Sequence, residues 1–267
     1  MVRLVKNLLK KIISLFVFYF YCTLSFSHEL WLEPVNFNLK PNQILQTHIK
    51  VGQNFHGEQY PYIGAETIKL NLFHDTKIIQ LKHRDGDYPA IQATLAKKGS
   101  YILAYESAPE LLQYDNFDKF KSFLEEQGLW NQEKYTSSDK ISESYTRYAK
   151  SIITAGNAPG SDFKTGLLFE LVVLNSISNL RNQSDIPVKL YYQDKPYANC
   201  QITMFRLFQN NLDIYKIATN DKGEAKIPIK EGGKFLLNAV YFSKNDNKQI
   251  NAEWKSLWAS STFEIIK

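Results

Sequence analysis

Residues 45–51, Leu-Gln-Thr-His-Ile-Lys-Val, decide the fold class by their alternation. Leu45, Thr47, Ile49 and Val51 fall on one face of an extended chain, and Gln46, His48 and Lys50 fall on the other, which is the period of a half-buried strand. The same period continues outward. Ile68, Leu70 and Leu72 lead to a turn at His74, Asp75 and Thr76, and Ile78 to Leu81 returns. Asp85, Gly86 and Asp87 mark the next turn, and Ile91 to Leu95 and Tyr101 to Tyr105 are divided by Lys97, Lys98 and Gly99. Short alternating segments broken by turn residues from Val35 to Tyr105 predict antiparallel sheet.

After Pro109 the period changes. Phe117, Phe120, Phe123 and Leu124 recur at helical spacing, with Asp115 or Asn116 able to cap the start and Gly128 the end. A second helix is expected where Ile141, Tyr145, Tyr148, Ala149 and Ile152 form an apolar stripe closed by Gly156. On that reading Tyr145, Arg147, Tyr148 and Lys150 belong to a helix docking on a sheet. Asn157 to Lys164 reads as a linker. Alternation resumes near Leu168 to Leu174 and continues in six further segments, the last from Ser256 to Ile265; Asn220 to Gly223 supplies hairpin-turn chemistry. The expected fold is therefore mostly β, with two β-sandwich domains. The N-terminal domain spans 28–165 with a short helical insertion at about 115–156, and the C-terminal domain, 166–267, is immunoglobulin-like or prealbumin-like.

The first 27 residues read differently. Arg3, Lys6, Lys10 and Lys11 precede an apolar run from Ile12 to Phe26, and Ser25 and Ser27 are the small residues that a signal peptidase requires. The run is short for a membrane span, and Tyr21 is too bulky before Cys22 for a lipoprotein site. The expectation is a cleaved signal peptide, a periplasmic protein with no stable membrane anchor, and a chain beginning at His28. Cleavage removes four basic residues and no acidic one, so the formal charge falls from +5 to +1. That near-neutral balance argues against nucleic acid as a partner. It also leaves Cys200 alone, with no intramolecular disulfide to form.

An N-terminal histidine can chelate a metal ion through its α-amine and its ring Nδ1, because the amine titrates near pH 8 and yields its proton to a metal at neutral pH. His28 is thus the first candidate metal ligand. Histidines 48, 56, 74 and 83 all fall in the N-terminal half. His56, in the loop GQNFHGE, and His83, before the carboxylates of Asp85 and Asp87, are the candidates to complete the sphere. HExxH, CxxC, GxSxG and phosphate-binding glycine loops do not occur, and Cys200 sits in an expected strand, so no catalytic residue is assigned and a non-enzyme is expected.

The segments HELWLEP, VGQNFHGE, RDGDYPA, FKSFLEEQGL, YTRYAKSII and AEWKSLWASSTFEI, in this order and spacing from His28 to Ile265, resemble the DUF4198 family. These are exported proteins grouped as a domain of unknown function and catalogued alongside the periplasmic component of cobalt and nickel uptake. The resemblance implies a divalent-metal role, nickel or cobalt, at or near an uptake system, and carries His28 and Glu29 with it. Copper remains a candidate because nitrogen sites favour it intrinsically. The mechanism expected is capture of the ion and delivery to a membrane permease or another envelope protein. Two alternatives stand beside it: a non-enzymatic envelope adhesion or assembly module, and a copper oxidase with an N-terminal histidine brace, which needs a second histidine close to His28.

Overall fold

Strands account for most of the chain in the computed structural model, which describes residues 28–135 and 141–266. The expected signal segment, 1–27, lies outside the described residues. The N-terminal half runs β1 (Glu29–Pro34), β2 (Asn38–Leu39), β3 (Ile44–Gln53), β4 (His56–Tyr60), a 3-10 turn (Gly64–Glu66), β5 (Thr67–His74), β6 (Lys77–Ile79), β7 (Ile91–Thr94), β8 (Gly99–Ser107), β9 (Glu110–Tyr114), α1 (Phe117–Glu126) and β10 (Ile141–Ala155). The C-terminal half follows as β11 (Phe169–Val173), α2 (Ile177–Leu180), β12 (Asp185–Tyr192), β13 (Lys195–Pro196), β14 (Gln201–Phe208), β15 (Asn211–Ala218), β16 (Glu224–Pro228), β17 (Gly233–Lys244) and β18 (Trp254–Ile265). The mostly β architecture expected from the alternation is the one the chain adopts.

A ten-stranded sheet forms the middle of the molecule, ordered β15-β14-β17-β18-β10-β8-β5-β6, with β2 and β9 pairing on β10. Its halves join along β10 and β18, which run parallel from Glu143 opposite Trp254 to Ser151 opposite Thr262. A small sheet, β1-β3-β4 with β7, and another, β11-β12-β13 with β16, lie against it. Side-chain parity shows that they cover opposite faces. Ala149 and Ile153 of β10 join Leu30, Leu32, Leu45 and Ile49 in one core, whereas Tyr148 and Ile152 join Phe169, Leu171, Val188 and Leu190 in the other. Successive residues of a strand point to opposite faces, so β10 is packed on both sides.

That double coverage explains why residues 141–155 are a strand and not the expected second helix. A strand buried on both faces loses the polar alternation that marks a half-buried one. Ile141, Tyr145, Tyr148, Ala149 and Ile152 then fit helical spacing as well as any other. Gly156, expected as a helix cap, still adopts a left-handed φ of 68°, at the end of a strand. The first helix forms as read: the Asn116 side chain accepts a hydrogen bond from the Lys119 backbone N–H at 3.0 Å and starts α1. Phe120, Phe123 and Leu124 bury its inner face against Phe242, Trp254 and Trp258, each such side chain contributing about 1.5–3 kcal/mol. The turn at Asn220–Gly223 is tight, with Gly223 N–H donating to Asn220 O at 2.9 Å. It carries the chain from β15 in the middle sheet to β16 in the outer one, a corner between sheets instead of a hairpin.

One ionic group sits inside the C-terminal core. Lys150 of β10 donates from Nζ to Asp162 Oδ1 at 2.8 Å, to Glu170 Oε1 at 3.0 Å and to the Phe163 carbonyl at 2.9 Å. All three charged side chains are sealed from water, at 1%, 0% and 2% exposure. Every donor of the ammonium is used, which is what makes charge at this depth tolerable.

Candidate functional site

Strands β1, β3 and β4 form one wall of a cleft of about 980 Å³. Their register places Leu30 opposite Val51 and Val51 opposite Glu58, and Leu32 opposite Ile49 and Ile49 opposite Tyr60. Because alternate residues share a face, His28, Leu30, Val51, His56, Glu58 and Tyr60 present a single surface, and all six line the cleft. His56 is delivered there by the two-residue turn Asn54–Phe55, both with left-handed φ (53° and 59°), the conformation that suits a tight hairpin. Phenylalanine tolerates that conformation poorly. Burial offsets the strain: Phe55 packs edge-on against Trp31, ring centroids 5.7 Å apart, with Phe205 and Leu236 beneath. Gly52 and Gly57 let the two hairpin strands approach closely. A methyl at Gly52 would stand 2.0 Å from the His56 carbonyl oxygen, and one at Gly57 2.7 Å from the Trp31 ring.

The facing wall comes from the middle sheet and carries a charged, hydrogen-bonded network. Arg147 of β10 donates from Nη1 to Glu110 Oε1 at 2.8 Å, from Nε to the His28 carbonyl at 3.2 Å, and from its backbone N–H to Ser107 Oγ at 3.0 Å. Its guanidinium lies 4.4 Å from the ring centroid of Tyr145, whose hydroxyl donates to Glu110 Oε2 at 2.7 Å. Arg147, Glu110 and Tyr145 thus brace one another, and Arg147 ties the wall to the start of β1. Burial raises the Tyr145 pKa above its usual range, so it stays a phenol and a donor. Burial, then the nearby Arg147 charge, holds the His28 imidazole below its ordinary range. The ring is therefore neutral at neutral pH, the form that can ligate a metal. Glu29, directed away from the cleft by strand alternation, is pushed up to about 7 by burial.

The sequence candidates separate. His28 and His56 share the cleft. His83 does not line it: its ring packs on Tyr62, centroids 4.1 Å apart. His48 projects from β3 on the face away from the cleft and meets Tyr88, and His74 stacks on Tyr101. Among the described residues, no group of three or more His, Cys, Asp or Glu side chains is close enough to hold a metal ion. Cys200 is buried in the C-terminal core, its thiol pushed up to about 12 by burial, so it is an inert side chain. Sequence reasoning missed Arg147, Glu110 and Tyr145 as cleft residues. Tyr145 and Arg147 were placed on a helix, and the signal available was their spacing of two residues, which in a strand puts both on one face.

Comparison with known proteins gives a family and a loose set of structural likenesses. A family model described as a domain of unknown function, DUF4198, matches residues 25–243. No curated protein matches the chain. Among solved structures, the D0-D1 domain of intimin aligns at 11% identity and a TM-score of 0.22, covering 88% of this chain and 97% of that one. A tetra-tandem repeat from the extending region of a large adhesion protein aligns at 11% identity and a TM-score of 0.22, covering 88% of this chain and 49% of that one.

Proposed function

The chain belongs to the DUF4198 family, and from that premise we propose that it is an exported, periplasmic, non-enzymatic protein that captures nickel or cobalt and passes the ion to an uptake system. The observation that carries the reading is that His28 and His56, distant in sequence, line one cleft. Removal of residues 1–27 would expose an α-amine on His28, giving that one residue two donors, the amine and an imidazole already held neutral. His56 is the third. Glu58, Glu66 and Glu110 lie on the same cleft and are the oxygen donors within its walls. A cleft of about 980 Å³ is of the size that admits a small molecule, so the ion's remaining positions are filled by water or by a small chelator that travels with it. Arg147 and Tyr145 act as donors to the anionic groups of such a chelator. The protein holds the cargo and performs no turnover.

Intact-mass analysis of the exported protein, purified without a histidine tag, tests this together with its metal content and calorimetric titration with nickel, cobalt and copper. The expected result is a chain beginning at His28 that binds one ion, with binding lost when the amine is blocked or in His28→Ala. A chain beginning elsewhere, or a protein that takes up no ion, overturns the reading and leaves an envelope adhesion or assembly module in its place.

A further inference from the structure

We propose that Lys150 and Asp162 form an intramolecular amide bond inside the C-terminal core, with Glu170 as the proton carrier. An amine, a carboxyl group and a second carboxylate meet there in a water-free chamber. Lys150 Nζ stands 2.8 Å from Asp162 Oδ1, which puts the carboxyl carbon one C–O bond beyond, close to the separation of reacting atoms in a near-attack geometry. The three side chains cannot drift apart. Asp162 is fixed through Oδ2 by the Val173 backbone N–H at 2.8 Å and through Oδ1 by its neighbour Phe163 N–H at 2.8 Å. Glu170 Oε1 accepts from the Thr165 backbone N–H at 2.7 Å and its hydroxyl at 2.8 Å, besides Lys150.

The chemistry is a condensation and needs no external reagent. Transfer of one proton from the Lys150 ammonium to Asp162 converts the ion pair into an amine and a carboxylic acid without changing the net charge of the trio. Desolvation of both groups favours that neutral form of the pair and raises the Asp162 pKa in the same sense. The two adjacent carboxylates raise that of Lys150 and oppose the transfer, so the geometry of the trio carries the step. The Lys150 nitrogen then adds to Asp162 Cγ. The developing oxyanion on Oδ2 is held by the Val173 N–H, as preorganised backbone donors hold such charge elsewhere. Glu170, oriented through Oε1 by the Thr165 N–H and hydroxyl, takes a proton from the attacking nitrogen and returns it to the departing Oδ1, which leaves as water. One C–N bond forms, one C–O bond breaks, no electron is gained or lost, and Glu170 ends as it began. The amide oxygen keeps its Val173 hydrogen bond. The product staples β10 to the connection between β10 and β11, where Asp162 is already tied to Val173 at the end of β11.

Peptide mapping of the folded full-length protein decides it. Trypsin cleaves after Arg147 and Lys164, and an acylated Lys150 is not a site. The expected product is therefore a single peptide, residues 148–164, lighter than its sequence by one water and giving no backbone fragments between positions 150 and 162. Asp162→Asn should form the same bond with loss of ammonia in place of water, and Glu170→Gln should return the linear mass. Ordinary cleavage after Lys150 in the folded wild-type protein overturns the proposal. So does a water-light peptide still cut at Lys150, which is the mark of cyclisation at Asp162 alone. The wild-type map suffices even where a variant fails to fold.

Discussion

Tyr145 and Arg147 leave β10 toward the cleft, while Tyr148 and Lys150, one and three positions after Arg147, leave it toward the C-terminal sheet. The two charged groups meet different surroundings. Arg147 is buried at 8% exposure but partnered by Glu110, whose carboxylate is half open to solvent, so its environment can exchange partners with whatever enters the cleft. Lys150 has two carboxylates, neither of which reaches water. Charge on the open face is available for recognition, whereas charge on the sealed face is committed to the protein's own structure.

The largest effect should come from breaking the sealed side. Lys150→Met prevents the cross-link and leaves Asp162 and Glu170 buried with neither an amide nor a cation between them, and removal of one partner of such a group costs about 3–5 kcal/mol. Urea unfolding should show that loss, while Arg147→Met, whose partner Glu110 can rehydrate, should cost markedly less. Equal losses would mean that the open and sealed faces do not differ as described.

A second comparison separates the cleft from the aromatic core beside it by pH. Glu143 of β10 lies fully buried beneath α1, accepting hydrogen bonds from Tyr114 and Ser256, and burial pushes its carboxyl up to about 7 from 4.5. The folded chain therefore holds a proton that the unfolded chain releases between those values. The stabilisation is fully present below pH 4.5 and is lost as pH rises through 7, a change of about 3 kcal/mol. Glu29, also pushed up to about 7, acts in the same direction. Urea midpoints should fall between pH 5 and pH 8, and Glu143→Gln should flatten most of that slope. A midpoint that rises with pH would contradict the burial assigned to these carboxylates.

How much of this could be read in the sequence follows from which faces are wet. LQTHIKV alternates because β3 is more open on one side, where Gln46 is exposed and His48 and Lys50 are half-buried, than on the other, where Leu45, Thr47 and Ile49 are buried. Among the later strands β12 and β16 alternate in the same way, whereas β14, β17 and β18 are buried on both faces like β10 and read as strands through their β-branched and aromatic content and the turns between them. Asn116 announced α1 through cap chemistry that is local to the chain. β10 was hidden by its burial on both faces, and with it went Arg147, Tyr145 and the Lys150 trio. The pairing of His28 with His56 depends on register across two ladders, which no single segment encodes. A lysine in a stretch otherwise apolar enough to be buried was the one local hint that a partner such as Asp162 or Glu170 must exist.

The hairpin that presents His56 can be disturbed with less damage. Gly52→Ala sets a methyl against backbone atoms, 2.0 Å from the His56 oxygen and 2.4 Å from the Gly57 Cα, and such overpacking costs about 1–3 kcal/mol. Because the clash lies in the β3–β4 crossing, metal affinity should fall along with stability. Near-native affinity in a destabilised variant would show that the position of His56 does not matter to the ion.

The smallest and sharpest contrast lies between two histidines that the sequence treats alike. His56 shares the cleft with His28, and His83 packs on Tyr62 outside it. His56→Ala should weaken nickel binding by about tenfold, equivalent to about 1.4 kcal/mol, and leave the unfolding midpoint nearly unchanged, since the side chain is exposed. His83→Ala should leave the titration curve where it was, because no donor is lost from the cleft, and should cost only a little stability through the lost contact with Tyr62. If His83→Ala alone weakened binding, the ion would sit on the Tyr62 side of the β6–β7 connection, and the cleft between β1 and β10 would have to be assigned to some other ligand.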